Sequence, residues 1–337
     1  MQLTAPLDMH LHLRDGEMLN NIAACSAESF SGALIMPNLV PPVSSKEEVV
    51  AYKKRIMQAI GDEKFMPYMT LFFKPSYDKD FLTSIRDEIT AIKLYPAGIT
   101  TNSEGGVSGF DVEELRPALE AMSELNIPLC VHGETNGFVM DREAEFVSIY
   151  ERLASAFPKL KIIMEHITTK ASMEALDKFE NLYATITIHH LLITLDDVAG
   201  GMLKPHLFCK PIAKRPEDRD ALLKVALEAH PKVMFGSDSA PHPKHAKEAC
   251  GCAAGVFTAP IALQLLATLF DTHGASVENL QAFVSGNAQR IYGIQPLQKA
   301  VTLEKKPFKV LSDYNGVVPM YADENIAYSI KEIHNGY

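Results

Sequence analysis

Several common signals are missing from this 337-residue chain, and each omission removes a class of function. No stretch of about 18 consecutive apolar residues occurs, so no segment reads as a membrane-spanning helix. Residues 1 to 20 lack the basic-then-apolar build of an export signal. A basic surplus is lacking too: 32 Lys and Arg stand against 42 Asp and Glu, a formal charge of −10. Such a chain has no cationic excess to displace the counterions of a nucleic-acid backbone, which argues against a nucleic-acid partner. Cysteines are few and odd in number, five in all, which points to reduced thiols in the cytoplasm. There is no internal repeat and no low-complexity tract. The expectation is a soluble, cytoplasmic, globular protein with no membrane partner. Its length allows two ordinary domains or one large α/β barrel, for which ~250 residues is typical.

What is present is alternation. Short runs rich in Ile, Val, Thr and aromatics fall at 4–13, 33–37, 65–73, 89–95, 127–132, 160–167, 182–191 and 232–237. Their length and composition favour buried strands over helices. Between them, Val49, Tyr52, Ile56 and Ile60 recur at the spacing of one helical face. Val112, Leu115, Leu119, Met122 and Leu125 do the same, with Asp111 as N-cap and Pro117 predicted to kink the helix or delay its start. Further helices are predicted over 217–229 and 260–272, the latter stopped by Gly274.

Eight strands separated by helices predict an α/β fold, a (β/α)₈ TIM barrel, over residues 1–295. An open doubly wound sheet is the second choice, and no G-x-G-x-x-G follows the first strand to support it. From 296 to 337 the helical rhythm fades, and this C-terminal extension reads as a small appendage packed on the barrel. Residues 98–109 (GITTNSEGGVSG) read as a mobile surface loop, since no Gly-Lys-Ser/Thr ends the segment as in a phosphate cradle.

The polar residues fall at telling places. His10 and His12 end the first predicted strand, Lys93 the fourth, His132 the fifth and His166 the sixth, and Asp238 follows the eighth. A parallel barrel gathers the C-terminal ends of its strands on one face, so all six would meet in one mouth. His10-Leu11-His12 puts two imidazoles on one side of a strand, a pair able to share a divalent ion. An H-x-H pair alone is weak evidence; the convergence with His132, His166 and Asp238 makes a metal site the better reading. Lys93 has two readings. Its stem packs while its charge pairs elsewhere, or burial and nearby cations keep the amine neutral, able to add CO₂ and form a carbamate. His189-His190 falls in the seventh predicted strand, where at most one ring faces the barrel centre. Cys250-Gly251-Cys252 is tighter than the usual thiolate pair for a metal and reads as a tight loop at the pocket.

At this point a resemblance emerges. Asp8-Met9-His10-Leu11-His12-Leu13-Arg14-Asp15-Gly16 resembles the opening signature of the dihydroorotases, within the amidohydrolase superfamily. Met36-Pro37-Asn38, Lys93-Leu94-Tyr95-Pro96, Val131-His132-Gly133-Glu134, Glu165-His166-Ile167-Thr168-Thr169-Lys170 and Gly236-Ser237-Asp238-Ser239-Ala240-Pro241-His242 follow in family order. The likeness spans about residues 5 to 290 and is strongest to the compact bacterial class II type.

The resemblance implies a zinc-dependent enzyme that interconverts N-carbamoyl-L-aspartate and L-dihydroorotate, the third step of pyrimidine (UMP) synthesis. It implies two Zn²⁺ per chain and a CO₂-derived carbamate on Lys93, that is, N6-carboxylysine. His10, His12, Lys93 and Asp238 would hold one zinc, and carboxylated Lys93, His132 and His166 the other. Asp238 would be the catalytic acid and base. His12, Arg14, Asn38, His132, Lys210, His242 and Ala253 would touch substrate, with Lys210 and Ala253 doing so through the main chain. Thr100 and Thr101 would belong to a loop that closes over the site, and a homodimer is implied. The same metals would also serve a hydantoinase or allantoinase, and a mononuclear deaminase or a metal-free interaction protein are the more distant alternatives.

Overall fold

Residues 1–336 are described in a computed structural model of the chain. Eight strands pair in sequence order, all parallel: β1 (Leu7–Leu11), β2 (Gly32–Ile35), β3 (Met66–Phe72), β4 (Ala91–Leu94), β5 (Leu129–Val131), β6 (Ile162–Met164), β7 (Leu182–Ile186) and β8 (Val233–Phe235). Beyond β8, the Asp238 N–H donates to the His10 carbonyl at 2.8 Å and the His12 N–H to the Ser239 carbonyl at 3.2 Å. These bonds join the last strand to the first and close a (β/α)₈ barrel. Each expected run overlaps one of the strands, and β2 begins one residue before its run, at Gly32. The first run is broken at Ala5, whose φ of 46° separates Gln2–Thr4 from β1.

Side chains of the strands alternate between the barrel interior and the helices outside. Leu34, Met36, Ala91, Cys130, Ile163 and Met234 fill the interior, while Ile35, Leu94, Val131 and Met164 pack outward. Lys93 and His132 follow Ala91 and Cys130 by two residues, so parity aims both inward. β1 is the exception. Leu7 and Met9 face in but Leu11 faces out, and pairing with β2 is irregular between Asp8 and Leu11. That irregularity reverses the parity of the strand and brings His10 and His12 inside.

Two local expectations are corrected. The helix Val112–Glu124 starts directly after Asp111, whose carboxylate accepts from the Glu113 and Glu114 N–H groups, and it continues through Pro117. The delayed start does not occur, because the carbonyl that Pro117 leaves without a partner lies in the exposed first turn. The run 182–191 is two elements rather than one. β7 stops at Ile186, and Thr187 caps a short helix, Ile188–Leu192, its hydroxyl accepting from the His190 N–H at 3.1 Å. His189 and His190 therefore stand on a buried helical turn, not on a strand.

Both chain ends share one small sheet. Lys299–Glu304 pairs antiparallel with Ser329–Asn335 on one side and with Gln2–Thr4 on the other. Lys299 is buried and its Nζ donates to the carbonyls of Ala27 and Glu28, tying this sheet to the end of the helix Gly16–Ala27. Tyr337, the last residue of the expected extension, lies outside the described residues. Among the described residues, no helix is long and apolar enough to cross a membrane.

Candidate metal centre

His10, His12, His132, His166 and Asp238 line one small cavity at the C-terminal ends of the strands. Arg14, Asn38, Thr100, Thr101 and Lys210 complete its wall. Lys93 is fully buried beside Tyr95, which also lines the cavity, with Nζ 4.5 Å from the centre of the ring.

The donors form two groups. His10, His12 and Asp238 each offer an atom within 4.8 Å of the others, with His12 Nε2 3.1 Å and His10 Nε2 3.6 Å from Asp238 Oδ1. His132 Nδ1 lies 3.2 Å from His166 Nε2. That spacing is close to the roughly 3.3 Å between two nitrogens that share a tetrahedral zinc. The His166 ring is 4.8 Å from both the His10 and the His132 rings, so the groups adjoin.

Two carboxylates brace these histidines from behind. Glu165 Oε2 lies 2.7 Å from His10 Nδ1, and Glu134 Oε2 lies 2.7 Å from His132 Nε2. Each holds the ring nitrogen that does not face the donor cluster, which sets the tautomer and leaves a lone pair for a metal. Both glutamates stand inside motifs of the sequence, but their neighbours there did not reveal the role. A carboxylate one or two residues from a predicted metal-binding histidine is the signal that could have found them.

Charge states suit a cation. Burial lowers His12 to about 4, and it also lowers His132 and takes His166 well below the usual imidazole range, so these rings are neutral donors. Burial opposes ionisation of Asp238, yet the His12 hydrogen bond and the surrounding imidazoles hold its carboxyl well below the ordinary range. Burial lowers the Lys93 amine to about 8, and Nζ has no hydrogen-bond partner. A buried amine without a partner is costly as an ammonium, so the site favours its neutral form.

The backbone is bent to serve the site. Arg14, His166 and Asp238 have φ of 57°, 41° and 43°, a left-handed conformation that non-glycine residues rarely adopt. Neighbouring bonds hold it. Asp8 accepts from the Ser237 N–H at 2.7 Å and from the Ser237 hydroxyl, and a Cβ at Gly236 would come within 2.9 Å of His10 Cβ. The His166 N–H donates to Thr185 Oγ1 at 2.7 Å. Just beyond, the buried Glu143 carboxylate accepts from the N–H groups and hydroxyls of Thr168 and Thr169 and from the Ser172 hydroxyl. Glu143→Ala is expected to cost about 3 kcal/mol or more, because several buried donors lose their only anion. Urea unfolding checks this, and a midpoint unchanged from wild type would contradict it.

The expected substrate anchors gather at the mouth. Arg14 NH2 lies 3.1 Å from His242 Nε2, and its Nε donates to the Pro241 carbonyl at 3.2 Å. Burial, with Arg14 adding to it, lowers His242 to about 3, so this ring is neutral. The loop 98–109 is not free: Asn38 Nδ2 donates to the Thr101 carbonyl at 3.0 Å, and Lys210 Nζ to the Ile99 carbonyl at 2.9 Å. Thr100 and Thr101 line the cavity. Ala253 stands apart from the cavity wall, where Ala254 and Gly255 take its place; it borders an outer groove with Cys252 and Thr101. Cys250 and Cys252 are free thiols.

His189, His190 and Cys209 also bring three donor atoms within 4.8 Å. His190 is already engaged, by Thr187 Oγ1 at 2.9 Å and the Pro211 carbonyl at 3.1 Å, and the cations Lys214 and Lys247 bear on these histidines. A divalent ion is better served by the centre at the barrel mouth.

The family model for amidohydrolases matches residues 67–294. A dihydroorotase of Helicobacter hepaticus is 44% identical over 338 residues, 98% of each chain. The crystal structure of a dihydroorotase from Campylobacter jejuni superposes with a TM-score of 0.95 at 59% identity, covering 98% of this chain and 97% of that one. A Saccharomyces cerevisiae dihydroorotase in complex with 5-fluoroorotic acid superposes with a TM-score of 0.91 at 32% identity, covering 98% of both chains. This chain therefore belongs to the dihydroorotase family of amidohydrolases and is a hydrolase of cyclic amides.

Proposed function

We propose that the protein is a binuclear zinc dihydroorotase, interconverting N-carbamoyl-L-aspartate and L-dihydroorotate in the third step of pyrimidine synthesis. One observation carries the reading: two adjoining sets of donors lie beside a buried Lys93 amine that has no partner and whose charge bears on His132 and His166. The residues fit two divalent ions. His10, His12 and Asp238 would hold one, His132 and His166 the other, and Lys93 as its carbamate would serve both. Zinc bound there would lower the pKa of water toward neutrality and polarise the amide carbonyl.

The remaining work falls to side chains. During ring opening, ionised Asp238 takes the proton of the attacking water and delivers it to the departing ring nitrogen. Ring closure reverses these steps: ionised Asp238 takes the proton of the attacking nitrogen and returns it to the departing water oxygen. Arg14 and Asn38 stand at the mouth, where a planar guanidinium fork can grip the substrate carboxylate. The loop 98–109 excludes water above them.

The direct test is turnover of L-dihydroorotate, hydantoin and allantoin by purified protein of known zinc content. Dihydroorotate is expected to be the preferred substrate with about two zinc ions per chain. Faster turnover of hydantoin or allantoin would overturn the assignment. Arg14→Lys is expected to raise KM about tenfold or more while kcat stays within about threefold, since an ammonium cannot form the paired bonds. Steady-state kinetics would expose an unchanged KM, which contradicts the carboxylate role.

A further inference from the structure

Lys247 lies outside the metal centre, at the end of the short helix Lys244–Lys247, and its side chain is buried. Its Nζ donates to the main-chain carbonyls of Phe208 at 2.9 Å, Ala253 at 2.7 Å and Gly255 at 2.7 Å. An ammonium has three N–H bonds, so every donor is used. The carbonyls come from two separate segments, 208–210 and 253–255, which also meet directly where the Gly255 N–H donates to the Phe208 carbonyl at 2.9 Å.

Both segments belong to the site. Lys210, Ala254 and Gly255 line the cavity. The Ala254 carbonyl lies 3.0 Å from His242 Nε2, and His242 touches Arg14. Gly255 has no side chain with which to fix itself, and a Cβ there would collide with the Ala240 carbonyl. The position of this wall is thus set by bonds to its backbone, and Lys247 supplies the charged ones. Burial lowers its amine to about 8, which still leaves an ammonium at neutral pH. A buried charge adds little net stability over an apolar residue of the same length, but it demands one geometry of its acceptors.

We propose that Lys247 is a positioning residue for substrate recognition. Its ammonium fixes the spacing of segments 208–210 and 253–255. Through Ala254 it also sets His242 against Arg14, so that the wall fits a cyclic amide bearing a carboxylate. The substrate class rests on the function proposed above.

Lys247→Met and Lys247→Gln test this on the zinc-loaded, full-length protein. Lys247→Met is expected to raise KM for L-dihydroorotate about tenfold or more, with kcat within about threefold and zinc content unchanged. Its preference for dihydroorotate over hydantoin should fall by a similar factor. Lys247→Gln keeps an N–H donor and should give an intermediate KM; it carries the test if Lys247→Met does not fold. A folded variant with wild-type KM and selectivity overturns the inference, as does a loss confined to kcat. Wild-type protein inactive on dihydroorotate would instead overturn the proposed function, and the two failures are distinct.

Discussion

Asp238→Asn is expected to lower kcat by about a thousandfold or more while leaving at least one zinc bound. Positioned acid–base catalysis supplies roughly 10²–10⁴ in rate, and an amide neither accepts nor returns the proton. The exchange is otherwise mild. Asn tolerates the φ of 43° at this position as well as Asp does, so the bend after β8 survives. The amide oxygen can still meet His12 Nε2, now 3.1 Å from the carboxylate. His132 and His166 make no use of Asp238 as a bracing partner and keep their own donor pair. Metal analysis beside steady-state kinetics separates the two effects. A variant with kcat within tenfold of wild type would remove Asp238 from the proton path.

Lys93→Met should abolish turnover for a different reason, by losing the bridge rather than the proton carrier. Bound zinc should fall from about two per chain to one at most. The same substitution should stabilise the chelated protein. Lys93 is wholly buried and lowered from 10.5 to about 8 by that burial. Between those values the unfolded chain holds more protons, so stability rises with pH across the window and is poorest below pH 8. The penalty at neutral pH is about 3 kcal/mol, and Met, of similar length, avoids it. Denaturation of chelated wild type and variant at pH 7 and above pH 10 should show the variant's advantage shrinking as pH rises. Full activity with two zinc ions in Lys93→Met would exclude the amine from the centre.

Much of the barrel could be read from sequence because its strands are buried on both faces, so each is a compact apolar run whose polar terminus stands out. His10, His12, Lys93, His132, His166 and Asp238 were legible for that reason. The run at 182–191 misled because the Ile, Thr and His text suits a strand while Thr187 caps a helical turn there. Pro117 misled because the exposed first turn of its helix tolerates an unpaired carbonyl. Glu143 and Lys247 could not be found by pattern. Glu143 is on the helix Arg142–Ala156, far along the chain from the threonines it holds, and Lys247 acts on carbonyls that carry no sequence signature. Glycine-rich composition suggested freedom for 98–109, whereas bonds from Asn38 and Lys210 restrain it.

Asn38 already has an occupant. Its amide serves the Thr101 carbonyl, and Asn102 returns a bond to the Asn38 carbonyl at 3.0 Å. On the proposed function, an arriving carboxylate displaces a neutral acceptor instead of gaining a free donor. The contribution of Asn38 to affinity is then the difference between a charged and a neutral acceptor, on the order of 1 kcal/mol. On that reading the loop would be a resident pseudo-ligand, competing with each substrate for entry and taking the anchor back as each product leaves. Weak net binding at that position would then let the site reset after every turnover.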